Sequence, residues 1–382
     1  MARLGDVCNK ITDGSHNPPA GIATSEYMML SSKNIEDDNI TYTDPRYLDK
    51  SEFETENRRT QISSGDLLMT IVGTVGRVAV VDCHTRNICL QRSVAVLKPK
   101  AETVDSRFLM YQIQSMRQLI ESESHGVAQK GIYLSQVEQL PIVLPNLPTQ
   151  RRIAATLDKV SKGIALCKQM LADLDELVKS QFVEMFENGD YPLIEAGTIM
   201  FNMRNGLSPS TKGTYHEKVL TLTAITQGWF DPEQWKDGAF NICPPNEKRI
   251  SSSEFYICRG NGNRTLVGAG VISTEDRADL VFPDTVIAAQ VDERRICLPY
   301  LYHAWKQPSV RDQIESAART TNGTYKINQG IISKVRFVLP PIGAQKIFVT
   351  IAEQADKSKL AVQQQLAELE TLKKSLMQEY FQ

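Results

Sequence analysis

The feature that most constrains this chain is that it says nearly the same thing twice. Residues 139–150 read Gln-Leu-Pro-Ile-Val-Leu-Pro-Asn-Leu-Pro-Thr-Gln, and residues 334–345 read Lys-Val-Arg-Phe-Val-Leu-Pro-Pro-Ile-Gly-Ala-Gln. At an offset of 195, Val143, Leu144, Pro145 and Gln150 meet Val338, Leu339, Pro340 and Gln345. The same offset pairs Ile132 with Ile327, and Ile62, Gly65, Val72 and Gly73 with Ile257, Gly260, Val267 and Gly268. Near the start of each half the offset is 192, pairing Gly5, Val7 and Gly14 with Gly197, Ile199 and Gly206. A repeat sustained at nearly one offset fixes the architecture before any local propensity does. The 382 residues are therefore expected to be a tandem duplication, which suits two domains at about 150 residues each.

Each half divides in the same order. About 145 residues of short β-like runs come first, such as 67–72, 78–81 and 94–97, punctuated by glycine and Asn/Asp turns. A proline-bearing extended segment follows, at 140–148 or 335–341, and then a long helical stretch, at 149–187 or 343–380. In the first helix, Ile153, Leu157, Val160, Ile164, Cys167, Leu171, Leu174 and Val178 alternate steps of four and three, the heptad seam of a coiled coil. The second keeps the seam less cleanly, with Phe348, Ala352, Ala355, Lys359, Val362, Leu366, Leu369 and Leu376. Lys359 on that seam suggests a looser or partner-facing stretch. Two seams at equivalent places favour packing on each other over an amphipathic face on each domain. The pair could run either way; an antiparallel pair would make the molecule pseudo-two-fold. Residues 149–187 would span roughly 58 Å of helix, enough for heads on such a spacer to reach successive grooves of a duplex, roughly 34 Å apart.

Signals for catalysis fail. Asn17-Pro18-Pro19-Ala20 is similar to the loop with which amino-methyltransferases hold a flipped base, but Ala20 stands where the stacking aromatic belongs. A turn is the better reading. The glycines at 260–263 and 268–270 make neither a phosphate loop nor a dinucleotide fingerprint. Five scattered histidines show no ligand spacing, and seven cysteines with no Cys-x-x-Cys argue against a disulfide framework or zinc ribbon. Hydrophobic residues at 41% allow real cores, no apolar run approaches the roughly 18 residues of a membrane span, and Met-Ala-Arg-Leu opens no signal peptide. A cytoplasmic protein without membrane contact, metal or cofactor of its own is expected.

Signals for binding do better. Each half carries a polar, glycine-bearing loop before its proline segment: His125-Gly126-Val127-Ala128-Gln129-Lys130-Gly131, and Arg319-Thr320-Thr321-Asn322-Gly323-Thr324-Tyr325-Lys326. Amide side chains can pair with adenine edges, cations with guanine or phosphate, and glycine lets backbone approach a groove. The candidates for DNA contact are Gln129, Lys130, Thr321, Asn322, Tyr325 and Lys326 in these loops. Arg77 and Arg264 join them from the glycine hairpins, as do Ser15, His16, Arg204 and Asn205 from the matched regions near the start of each half.

In these residues the chain resembles the specificity subunits of type I restriction–modification systems. The resemblance is carried by Gly65-Asp66-Leu67-Leu68 with Val72-Gly73-Thr74-Val75-Gly76, by the 126–132 loop, and by Leu144-Pro145 leading through Pro148 and Gln150-Arg151-Arg152-Ile153 into the helix. In the second copy Val338-Leu339-Pro340-Pro341 and Gln345-Lys346 repeat it, whereas Asn261-Gly262-Asn263 lacks the family's usual Asp-hydrophobic pair. The resemblance implies an α+β fold with target-recognition domains at 1–147 and 188–341. The helical spacers, 148–187 and 342–382, would form an antiparallel coiled coil. Each domain would read one half of a bipartite asymmetric site on double-stranded DNA. The spacers would set half-site separation and dock two modification subunits that methylate adenine N6. Restriction subunits would join them. S-adenosylmethionine, ATP and magnesium would belong to those partners, and this chain would not be an enzyme.

The net charge of −2, from 43 basic and 45 acidic residues, sharpens that expectation. Residues 1–147 hold 15 basic and 18 acidic side chains and residues 188–341 hold 17 and 16. Neither head is strongly basic, so much of the grip on a duplex is expected from partners. The alternatives are a recognition subunit of another phage-defence methylation complex and a coiled-coil scaffold that binds no DNA.

Overall fold

The computed structural model describes residues 2–125, 130–321 and 323–381, with the side chain of Thr321 excluded. The chain falls into two compact units, residues 1–169 with 363–382, and residues 170–362.

Unit 1 is built on a four-stranded antiparallel sheet in the order Cys8–Asp13, Val94–Pro99, Leu67–Thr70, Val78–Val80. Side chains alternate across it, as a pleated strand requires. Leu67, Met69, Ala95 and Leu97 face a core shared with Phe108, Leu109 and Ile113 of the helix Ser106–Ser115. Leu68, Val94 and Val96 face Leu30, Ile88 and Leu90, which belong to a second sheet of Arg46–Leu48, Tyr27–Leu30 and Ile88–Leu90. Unit 2 repeats this design. Its main sheet runs Met200–Asn205, Val286–Val291, Glu254–Cys258, Gly270–Ile272, and its second sheet again contains a parallel pair, Tyr215–Leu220 with Arg277–Val281. Gly14 and Gly206 recur for a steric reason: a Cβ would lie 2.1 Å from the Leu90 carbonyl oxygen or 2.0 Å from that of Phe282. No larger residue fits there without moving backbone.

The strand registers revise part of the sequence alignment. Leu67 lies between Leu97 and Val80, and Phe255 lies between Ala289 and Ile272. The central strands therefore correspond at an offset of 188, and the expected pairing of Ile62, Gly65, Val72 and Gly73 with Ile257, Gly260, Val267 and Gly268 is out of register. The cause is hairpin length: Thr70 and Val78 are eight positions apart, Cys258 and Gly270 twelve. In this register Asp66-Leu67 meets Glu254-Phe255, so the second copy carries Glu-Phe where the first carries Asp-Leu. Both carboxylates are buried and ion-paired, Asp66 with Lys98 at 2.5 Å and Glu254 with Arg204 at 2.7 Å.

Two long helices, Leu147–Phe182 and Ile342–Phe381, contribute to both units. The heptad explains which face they bury. Ile153, Leu157 and Val160 are buried in unit 1 with Leu376 and Met377 against the same core. Ile164, Leu366 and Leu369 are half-buried there. The helices come close at Gly163, where a Cβ would sit 3.1 Å from Leu369 Cδ1. In unit 2, Val178 is buried with Phe348, Ala352, Ala355 and Val362, and Leu171 and Leu174 are half-buried. Asp175 meets Lys359 at 2.7 Å and Phe182 meets Phe348 at 5.3 Å, so the pair is antiparallel there. Lys359 is thus answered by Asp175 across the pair and by Asp356 at 3.2 Å on its own helix. Its place on the seam is accounted for by an ion pair within the chain.

Candidate nucleic-acid interface

In each unit the glycine hairpin and the polar loop, some 57 to 68 positions apart in sequence, are stitched edge to edge. In unit 1 the hairpin at 71–77 turns on Gly73 and Gly76, with φ of +85° and +88°, a conformation that favours glycine. Thr70 closes it: its hydroxyl donates to the Thr74 carbonyl and accepts from the Arg77 N–H at 2.9 Å. Arg117 braces it from outside, donating to the Gly76 carbonyl at 3.2 Å while paired with Asp37 at 2.5 Å. The polar loop is pinched where His125 and Gly131 exchange both backbone hydrogen bonds. The Gly73 N–H donates to the Lys130 carbonyl at 2.9 Å, and the Ile132 N–H to that of Ile71 at 2.9 Å.

Unit 2 elaborates the same platform. Gly268, at φ +71°, takes the place of Gly76, and its N–H donates to the Cys258 carbonyl at 2.7 Å as that of Gly76 does to Thr70. The four extra residues form the turn Arg264–Leu266, capped by Asn263, whose side-chain oxygen accepts from the Thr265 N–H at 3.0 Å. Arg311 replaces Arg117 as the brace, donating to the carbonyls of Val267 at 2.7 Å and Thr265 at 3.1 Å. The polar loop becomes a hairpin, Arg319–Thr321 with Thr324–Lys326, that adds to Gly260–Asn261 as a three-stranded sheet.

The candidates divide by what their side chains are doing. Arg77 is half-buried, Lys130 is exposed, and neither side chain has a partner among the described residues. Tyr325 is half-buried and Lys326 exposed. Lys326 sits directly across from Arg319, also exposed, and two like charges on one face repel unless an anion lies over them. Gln129 and Asn322 lie outside the described residues, as does the Thr321 side chain. His16 bonds Asp13 at 2.8 Å beside Ser15, whose N–H donates to the Leu90 carbonyl at 2.7 Å. Two candidate side chains, those of Arg204 and Arg264, are committed to the fold instead. The Arg204 guanidinium is held by buried Glu254 and by the Glu247 carbonyl, and lies over the Phe282 ring at 5.7 Å. Arg264 donates to the Glu315 carbonyl at 2.8 Å, and the Asn205 carbonyl accepts from Lys248 at 2.8 Å. The two arginines are held by the fold rather than free to donate, whereas at Asn205 it is the backbone carbonyl that is engaged. The braces Arg117 and Arg311 escaped notice because they match no repeated motif.

The Asn17–Pro18–Pro19 stretch is a loop tied down by Arg46, which donates to the Pro19 carbonyl. Among the described residues no group of three or more His, Cys, Asp or Glu could hold a metal ion, and no helix is long and apolar enough to cross a membrane.

Residues 1–176 match the family model described as the type I restriction modification DNA specificity domain. The first part of the chain thus carries a type I specificity domain. It is similar to the EcoKI specificity subunit of Escherichia coli K12, 24% identical over 313 residues that cover 75% of this chain and 67% of that one. The StySPI specificity subunit of Salmonella potsdam is 23% identical over 292 residues, covering 69% and 62%. In fold the chain is similar to the S subunit of the type I system of M. genitalium, with a TM-score of 0.60, 14% identity and 98% and 94% of the two chains covered. A second solved structure, of a type I system described for its assembly and conformational transition, superposes with a TM-score of 0.57 at 17% identity over 100% and 97%. Type I specificity subunits are the non-catalytic, DNA-recognising members of their complexes, and catalysis lies in the partner subunits.

Proposed function

We propose that each unit reads one half of an asymmetric, bipartite site on double-stranded DNA, through its hairpin-and-loop platform. The observation that carries this reading is the platform itself: in each unit an arginine braces a glycine hairpin that is bonded to the described part of the polar loop, with different side chains each time. Rigid backbone holding variable donors is what direct readout requires. The Arg319–Lys326 pair and the unpartnered Lys130 and Arg77 supply phosphate or guanine contacts. The long helices set half-site separation and dock two modification subunits, which methylate adenine N6; restriction and translocase subunits join that core. S-adenosylmethionine, ATP and magnesium are bound by the partners. The seven free thiols suit a reducing cytoplasm.

Single-molecule methylation mapping in a host carrying the full gene set tests this. Lys130→Ala and Arg77→Ala relax or weaken one half-site only, and Tyr325→Ala and Lys326→Ala the other. Equal relaxation of both halves by either pair, or none by any variant, contradicts the reading.

A further inference from the structure

Gln150 and Gln345 lie away from both platforms, one turn into the two long helices, and both are wholly buried. Gln150 Oε1 accepts from the Asp105 N–H at 2.8 Å, and its Nε2 donates to the carbonyls of Thr103 at 3.1 Å and Pro145 at 2.7 Å. Gln345 Oε1 accepts from the Cys297 N–H at 3.0 Å, and its Nε2 donates to the carbonyls of Arg295 at 2.9 Å and Pro340 at 2.8 Å. Partner for partner the networks match: 103 and 105 become 295 and 297 at the 192 offset, and 145 and 150 become 340 and 345 at 195. Both networks satisfy every polar atom of a buried amide, which is what such burial demands.

The partners of each glutamine belong to two parts of its unit, and the glutamine itself to a third. Asp105 and Cys297 are the residues that open the domain helices Ser106–Ser115 and Leu298–Trp305. Pro145 and Pro340 lie on the extended segment by which the chain leaves the domain, and the glutamine belongs to the long helix. One amide therefore joins the domain core, its exit strand and the helix on which it is mounted. Only glutamine combines this reach with one acceptor and two donors. Glutamate lacks the donors, and methionine fills the space with neither.

We infer that Gln150 and Gln345 are positioning residues that fix the orientation of each recognition domain on its long helix, and with it the half-site spacing the complex accepts. The inference rests on the reading that each domain reads one half-site. Neither glutamine reaches DNA, so neither changes which bases are read.

The test uses the full chain with its modification subunits, carrying Gln150→Met or Gln345→Met, two independent copies of one experiment should either variant fail to fold. Methylation mapping should return both half-sites unchanged, with sites one base pair off the normal spacing modified at least tenfold more often than by the wild type. Hydrogen exchange should speed at least tenfold at the Asp105 or Cys297 amide while amides inside the long helix keep their protection. Gln150→Glu keeps the acceptor and regains one donor when protonated, so its spacing tolerance should narrow as pH falls. A uniform drop in methylation at the original spacing, with the amide loosened, overturns the inference and leaves a merely structural staple. A wild-type complex that modifies no bipartite motif would sink the half-site reading. The exchange result would then decide alone whether the glutamine holds the domain.

Discussion

Where each unit closes on its helices, equivalent positions carry different chemistry, although unit 1 too has an aromatic contact there, Phe108 with Phe381 at 5.3 Å. In unit 1 the junction is polar: Arg107 pairs with Asp158 of the long helix and, at 2.8 Å, with Asp38, while the Tyr111 hydroxyl bonds Asp158 at 2.7 Å and Lys373 lies over its ring at 5.5 Å. In unit 2 the junction is aromatic. Phe182, Phe186, Tyr300 and Phe348 pack with centroids 5.2–5.6 Å apart, and His303 stands edge-on to Phe348 at 5.2 Å. At the 192 offset His303 replaces Tyr111 and Tyr300 replaces Phe108. The duplicated fold constrains shape at this site but not polarity. Each copy is free to drift so long as its buried polar groups keep partners.

The contrast can be broken from either side, and its readout is built in. All three tryptophans, Trp229, Trp235 and Trp305, lie in unit 2, so their fluorescence reports that unit alone. Phe348→Ala should have the largest effect, costing unit 2 about 4 kcal/mol because it opens a cavity in a fully buried cluster. Arg107→Leu strands two carboxylates in unit 1, but the pairs are partly exposed, with the arginine side chain at 34%. A cost of about 2 kcal/mol follows, smaller than a fully buried pair would give. Urea unfolding followed by fluorescence and by hydrogen exchange separates the two. Loss of the fluorescence transition on Arg107→Leu, with exchange in unit 1 unchanged, would contradict the assignment.

Acid should act on the aromatic junction. Burial, with Lys306 close by, holds His303 down from 6.5 to about 4. Between those values the unfolded chain binds a proton that the folded one excludes. The histidine's contribution is therefore complete above about pH 6.5 and is lost as pH falls toward 4, by up to about 3 kcal/mol. His303→Leu should remove that part of the acid sensitivity of the tryptophan transition; an unchanged slope counts against it. Lys359→Met should have the smallest effect, under about 1 kcal/mol, because Asp175 is 61% exposed.

The sequence was informative where a pattern is enforced by packing and silent where partners meet only in space. The heptad from Ile153 to Val178 showed which helix face is buried, because one face per turn must be apolar. Gln150 and Gln345 were visible as a match, but four of their hydrogen bonds reach residues some 45 to 50 positions away. The central-strand alignment slipped because four extra residues in the second hairpin let Ile257 and Gly260 imitate Ile62 and Gly65. Lys359 looked like a flaw in a seam, since Asp175 lies 184 positions away. Arg204 and Arg264 looked like free cations because nothing local shows that Glu254 and the Glu315 carbonyl hold them.

The central claim is that the helices measure and the domains read. Duplicating residues 171–177 inserts two helical turns, about 10 Å, or roughly three base pairs at 3.4 Å each. Methylation mapping of the complex carrying that duplication should return both half-sites unaltered and a spacer longer by about three base pairs. An altered half-site with the original spacer would contradict the claim.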